Sequence, residues 1–132
     1  MIVDSYSVIR VINYGRKLPM AKKKILFVCS QNKLRSPTAE QVFSRFEELE
    51  CRSAGTDAAA NVPLDPELIQ WADVIFVMES SHRNRIAKKF KPYLSGKRIV
   101  VLGIPDDYEF MDQGLVKLLE IKVGPLLQVR FY

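Results

Sequence analysis

Four apolar residues, Ile25-Leu26-Phe27-Val28, run into Cys29 and a short polar loop that closes on Arg35, Ser36 and Pro37. An unbroken apolar run suits a strand buried on both faces, as the central strands of parallel sheets are. Ser36 reads as a helix N-cap and Pro37 as the first helical residue. Glu40 stands near a capping-box position. A strand, a loop and a helix N-terminus in that order form an anion site. The free amides of the loop and the first helical turn all face one spot. Cys29, at the carboxyl end of the strand, faces that spot too.

The remaining chain repeats the alternation. Strands are expected over 24–28, 50–54, 73–78 and 98–102. Helices are expected over 36–48, from 64 to 69 or 70, from 80 to 90, and from about 112. The first helix shows an apolar stripe of Ala39, Val42, Phe43 and Phe46. The last shows Leu115, Leu118, Leu119, Val123 and Leu126. Strictly alternating strands and helices predict an α/β three-layer sandwich, a four-stranded parallel sheet with helices on both faces. Ligands of such sheets bind beyond the carboxyl ends of the strands. The Cys29 loop and the Ile104-Pro105-Asp106-Asp107-Tyr108 segment both follow strands at that edge.

The spacing Cys29-x5-Arg35 has a physical meaning. Five intervening residues can wrap around a tetrahedral dianion and give it backbone donors. Arg35 adds a planar fork that binds two oxygens together. A helix N-terminus and an arginine favour the thiolate of a neighbouring cysteine, which is the nucleophilic form. A buried strand-end cysteine beside a helix cap is the structural alternative.

The net charge of +5 invites a nucleic-acid or membrane partner. The lysines are scattered, however, and no basic stripe interleaved with aromatics appears, so neither partner is expected. No run approaches the ~18 apolar residues of a membrane span. With two cysteines and no signal-peptide pattern, a reducing, cytoplasmic setting is expected. Residues 1–19 read as a peripheral extension, with Met20 a sufficient start for the domain over 20–132. His82, the single histidine, reads as a solvated residue early in a helix. Arg83, Arg85, Lys88 and Lys89 read as a solvated face. Trp71 is expected in the core and Tyr108 near the site.

The segment from Val28 to Glu40, V-C-S-Q-N-K-L-R-S-P-T-A-E, resembles the phosphate loop of the low-molecular-weight protein tyrosine phosphatases, V-C-x-G-N-x-C-R-S-P-x-A-E. Arg52-Ser53-Ala54-Gly55-Thr56, Val77-Met78-Glu79 and the Asp106 segment extend the resemblance over about residues 22–127. The resemblance implies phosphomonoester hydrolysis, of protein phosphotyrosine first, through a phosphocysteine. It makes Cys29 the nucleophile, Arg35 the phosphate clamp and Asp106 the general acid, with Asp107 the alternative. Ser30, Gln31, Asn32, Lys33, Leu34, Arg35 and Ser36 would form the substrate-binding loop. Ser36 would bond the thiolate, and Asn32 would shape the loop, since Asn tolerates a left-handed backbone. No metal or cofactor is implied. The partner would be a phosphorylated protein or a small phosphoester.

The chain departs from the pattern in several places. Gln31 replaces the usual Gly, and Leu34 stands where a second cysteine is common. Asp107 replaces the proline after the acid. The stretch between the second and third strands lacks about twenty residues. Cys51 reads as a strand residue rather than a partner for Cys29. Two other functions share the features. One is a non-catalytic phosphate or phosphopeptide module. The other is arsenate reduction, which would need more cysteines than this chain has.

Overall fold

A computed structural model describes residues 21–131; the expected extension over 1–19 lies outside them. The elements alternate in chain order. They are β1 (Lys23–Cys29), α1 (Arg35–Phe43), β2 (Leu49–Gly55), α2 (Pro66–Trp71), β3 (Val74–Val77), α3 (Ser80–Lys89), a 3-10 turn (Lys91–Tyr93), β4 (Arg98–Val101) and α4 (Gln113–Leu127). The strands form one four-stranded sheet in the order β2-β1-β3-β4. All pairings are parallel, with Cys29 opposite Gly55 and Val28 opposite Val77. The expected three-layer architecture is what forms.

The apolar runs explain the layers. Successive strand side chains point to opposite faces. Ile25, Phe27 and Cys29 therefore join one core with Ala39 and Phe43 of α1 and Leu115 and Leu119 of α4. Leu26 and Val28 join the other with Ile69 of α2 and Ile86 of α3. Phe27 stacks on both Phe43 and Phe76, with centroids 5.6 Å apart in each pair. Each such pair adds about 1 kcal/mol beyond its buried area.

Several local expectations are corrected. The first helix ends at Phe43, not near residue 48. Leu49 must already pair with Lys23, so the chain tightens through Phe46 N–H to Phe43 C=O and Leu49 N–H to Phe46 C=O. Phe46 falls beyond the helix and packs edge-on against Phe131 at 5.1 Å. In α4 the inward position is Leu127, and Leu126 is exposed. Asp112 does cap that helix, accepting from the Gly114 and Leu115 amides. Trp71 is half-buried, with the Arg52 guanidinium 4.4 Å above its ring. Tyr108 packs against the first core.

The strand order positions the site. From β1 the chain crosses to β2 on one side, and β3 then lies on the other side of β1. Connections leaving β1 and β3 diverge, and a crevice opens between their carboxyl ends. Cys29 closes β1 and Glu79 follows β3, so both stand at this crevice.

Candidate active site

The loop after β1 is shaped from outside. The carbonyls of residues 29–32 and 34 are each taken by a donor. Cys29 C=O accepts from Thr56 N–H at 2.9 Å, Ser30 C=O from Asp57 N–H at 2.9 Å, and Gln31 C=O from Asn61 N–H at 3.1 Å. Asn61 Nδ2 reaches Asn32 C=O at 3.0 Å, and Leu34 C=O accepts from Thr38 N–H at 3.1 Å. In a planar trans peptide the N–H lies opposite the C=O. With these carbonyls held outward, the amides of residues 30–33 and 35 turn inward. The loop is a cradle of donors because residues 56–61 hold its acceptors.

Gly55 permits this closeness. A Cβ there would stand 2.5 Å from Ser30 O and 2.6 Å from Ala60 Cβ. Asn32 takes the left-handed bend, φ 56°, as its residue type suggests.

Behind the cradle runs a chain of side-chain hydrogen bonds with a settled direction. Asn32 Nδ2 donates to Ser36 Oγ at 3.0 Å and to Ser53 Oγ at 2.9 Å. Ser53 in turn donates to the Glu40 carboxylate. Ser36 Oγ keeps its own hydrogen, with Cys29 Sγ 3.0 Å away and Ala54 C=O at 3.4 Å. Ser36 and Glu40 therefore do not cap the helix. Leu34 occupies the N-cap, and Arg35 is already helical. Ser36-Pro37 still sits in the first turn, where a missing proline N–H costs no helical bond.

Arg35 is 3% exposed. Its Nη1 donates to Ile104 C=O at 2.8 Å and lies 3.3 Å from Glu79 Oε1. Its Nε lies 3.6 Å from Asp106 Oδ1. The segment after β4 thus supplies both a backbone anchor and a carboxylate to one guanidinium. Asp106 is 65% exposed and lines the same cleft as Cys29. The cleft, about 490 Å³, is lined by Cys29, Ser30, Gln31, Lys33, Leu34 and Arg35 on the loop side. Asp57, Ser81, His82, Arg85 and Asp106 complete its wall. Asn32 and Ser36 lie buried behind the loop, and Asp107 is exposed outside the lining.

The sequence reading misplaced His82. It is 1% exposed, at the third position of α3. Its Nδ1 accepts from Glu79 N–H at 3.0 Å, and its Nε2 lies 2.9 Å from Ser30 Oγ. Glu79 occupies the N-cap of α3, one residue before the expected helix start. Burial lowers the proton affinity of the imidazole below its ordinary value, and the Arg35 charge lowers it further. Arg83, Arg85, Lys88 and Lys89 are exposed as expected, with Arg85 paired to Asp57 at 2.9 Å. Asn61 and Asp57, which hold the loop, read in the sequence only as turn residues. Glu79 is marked in the sequence by its place after an apolar strand and by the Val77-Met78-Glu79 resemblance.

Cys51 cannot reach Cys29. It sits four residues before Gly55 on β2, about 13 Å along the strand. A disulfide needs Cα atoms within about 7 Å. Burial pushes the Cys51 thiol up to about 12, and the Glu40 and Glu50 charges add to this against a hydrogen bond from Ser44. Among the described residues no helix is long and apolar enough to cross a membrane.

The chain is similar to known phosphatases. Residues 24–71, which include the cradle and its outer support, match the model of the low molecular weight phosphotyrosine protein phosphatases. A protein-arginine-phosphatase of Bacillus subtilis (strain 168) is 32% identical over 96 residues, a match covering 52% of this chain and 64% of that protein. The match therefore spans less than two thirds of that relative. A YwlE mutant from Bacillus subtilis superposes with a TM-score of 0.62 at 25% identity, covering 81% of this chain and 99% of the other. The tyrosine phosphatase Wzb from Escherichia coli K30, in complex with phosphate, gives 0.66 at 22% identity, covering 81% and 97%. Over the cradle and its outer support, residues 24–71, the chain is therefore similar to the low molecular weight phosphotyrosine protein phosphatases.

Proposed function

We propose that this chain is a metal-independent phosphatase that hydrolyses phosphorylated protein side chains, phosphotyrosine first, through a phosphocysteine. One observation carries the proposal. Cys29 lies at the base of a cradle of inward amides, with Arg35 and Asp106 at the same cleft.

The chemistry follows from the positions. The amides of the loop and the Arg35 fork bind the three non-bridging phosphoryl oxygens, where charge is carried through the transfer. Cys29 Sγ attacks phosphorus opposite the leaving oxygen. The S–P bond forms as the P–O bond breaks. Asp106 gives its proton to the departing phenolate, and tyrosine leaves as the neutral phenol. Ser36 Oγ–H, 3.0 Å from Sγ, stabilises the sulfur when it is anionic. In the second half, the Asp106 carboxylate takes a proton from water. The water oxygen attacks phosphorus, the S–P bond breaks, and inorganic phosphate leaves with the thiolate restored.

A second substrate is favoured by the relative at 32% identity, a protein-arginine-phosphatase. Phosphoarginine would place a P–N bond in the same cradle and release a cationic guanidinium. Lys33, exposed on the loop and lining the cleft, opposes such a leaving group and is indifferent to a phenol. On this ground we rank phosphotyrosine ahead of phosphoarginine as the substrate.

The test is hydrolysis of p-nitrophenyl phosphate, then of matched phosphotyrosine and phosphoarginine peptides. Wild type is expected to turn over the small ester and to prefer the phosphotyrosine peptide. Equal residual rates for wild type, Cys29→Ser and Asp106→Asn would sink the enzymatic reading and leave a phosphate-binding module. A higher kcat/KM for the phosphoarginine peptide would reverse the substrate assignment.

A further inference from the structure

His82 has no part in the transfer steps, yet its bonding is fully determined. A backbone amide only donates, so the Glu79 N–H fixes the lone pair on Nδ1. The neutral ring must then carry its proton on Nε2. That proton points to Ser30 Oγ, 2.9 Å away, which makes Ser30 the acceptor. A hydroxyl that accepts from the ring still has its own hydrogen to give. Ser30 directly follows Cys29 and lines the cleft, so that hydrogen is available to whatever fills the cradle.

The surroundings keep the ring in this state. Arg35 from α1 and Arg85 from α3 disfavour a second proton, and Glu79 before α3 and Asp57 after β2 favour one. Desolvation adds to the arginines and outweighs the carboxylates. A doubly protonated ring would also set its Nδ1–H against the Glu79 N–H.

We propose that His82 is a positioning residue that fixes the Ser30 hydroxyl as a donor to an oxygen of the bound phosphoryl group. The cradle then has a side-chain donor at its first residue, besides its amides and Arg35 at its last. This rests on the phosphoryl-binding reading of the site. It also assigns a task to the tie between α3 and the loop, made across 52 residues of sequence.

The test uses the full chain and inorganic phosphate. With a single histidine, the ring nitrogen resonances need no assignment. The Nε2–H tautomer is expected at neutral pH. Phosphate should displace the ring signals in wild type and not in Ser30→Ala. His82→Asn keeps an acceptor for the Glu79 amide and removes the donor to Ser30. Ser30→Ala and His82→Asn should each weaken phosphate binding about tenfold, as loss of one hydrogen bond to a charged group does. The double variant should be no weaker than either single one, because the two residues act as one unit. His82→Gln, which offers a non-titrating N–H near the Nε2 position, should recover most of the affinity.

An Nδ1–H tautomer, wild-type phosphate affinity in Ser30→Ala, or multiplicative losses would each overturn the proposal. If the expected binding pattern holds but p-nitrophenyl phosphate is not hydrolysed, the transfer reading fails and the Ser30 donor stands. If hydrolysis depends on Cys29 but phosphate affinity ignores both variants, the donor fails and the transfer reading stands.

Discussion

The two cysteines of this chain lie on neighbouring parallel strands and have opposite surroundings. Cys29 ends β1, beside the Ser36 hydroxyl, with Arg35 across the loop. Cys51 lies within β2, opposite Ile25, with Glu40 and Glu50 as its charged neighbours. Residue type does not separate them, and burial runs against the chemistry, since Cys29 is buried and Cys51 only half-buried. What separates them is position along the strand. At the carboxyl end the chain turns into donors and a cation; within the strand the amides are spent on the ladder.

The contrast can be broken most severely by exchanging the thiol. Cys29→Ser is expected to abolish p-nitrophenyl phosphate hydrolysis, and Cys51→Ser to keep the rate within about twofold, as substitutions away from a site do. A comparable loss from both would show that the difference in surroundings has no bearing on chemistry. Removing the acid tests whether Cys29 acts with a partner. Asp106→Asn should lower kcat by about 10²–10³, within the range of lost general acid catalysis. Asp107→Asn, outside the cleft lining, should change it little.

A third perturbation leaves both thiols intact and disturbs only the support of one. Gly55→Ala puts a Cβ against the Ser30 carbonyl and must move the loop. It should destabilise the fold by about 1–3 kcal/mol, the usual cost of overpacking, and reduce turnover more than this loss of folded protein explains. Unchanged turnover would mean that the loop has slack that the close contact does not suggest.

Alkylation sharpens the contrast without mutation. A thiol raised to about 12 is ionised to only about one part in 10⁵ at pH 7. Iodoacetate should therefore label Cys29 and spare Cys51, with inorganic phosphate protecting Cys29. The smallest expected effect concerns the fold around Cys29 as pH falls. The folded state holds the His82 proton less tightly than the unfolded chain, whose imidazole titrates near 6.5. Below that pH the unfolded chain binds more protons, so stability falls as pH drops. Chemical denaturation from pH 7 downward should show this decline in wild type and a shallower one in His82→Gln.

The sequence made the sheet legible because the strands are buried on both faces and read as unbroken apolar runs. The cradle was legible for a similar reason: the strand end, the polar loop and Arg35 are contiguous. Ser36 shows where local reasoning fails. Ser-Pro is a good helix start, but Arg35 must already be helical to face the cleft, so the serine is carried inward to the thiol. His82 failed differently. Its neighbours in sequence are polar and basic, and nothing local signals burial. Only the meeting of α3 with the loop after β1 encloses it. Asn61 was silent because one of its two contacts is made by a backbone amide, which every residue other than proline has, and its side-chain amide meets the loop only once β2 has brought residues 56–61 beside it.

The outer support of the loop has a consequence for how the site comes into being. The donors that turn the carbonyls of residues 29–32 outward lie some 27–30 residues further along the chain. The strand and helix on either side of the loop can form from nearby residues, but the cradle cannot. Its shape must appear in the same event that zips β2 against β1, because the segment that grips it emerges from the end of that strand. Folding rates measured with phosphate as a probe should therefore follow formation of the β1–β2 pair rather than of α1. A chain cut before residue 56 would hold every residue of the loop and none of its affinity.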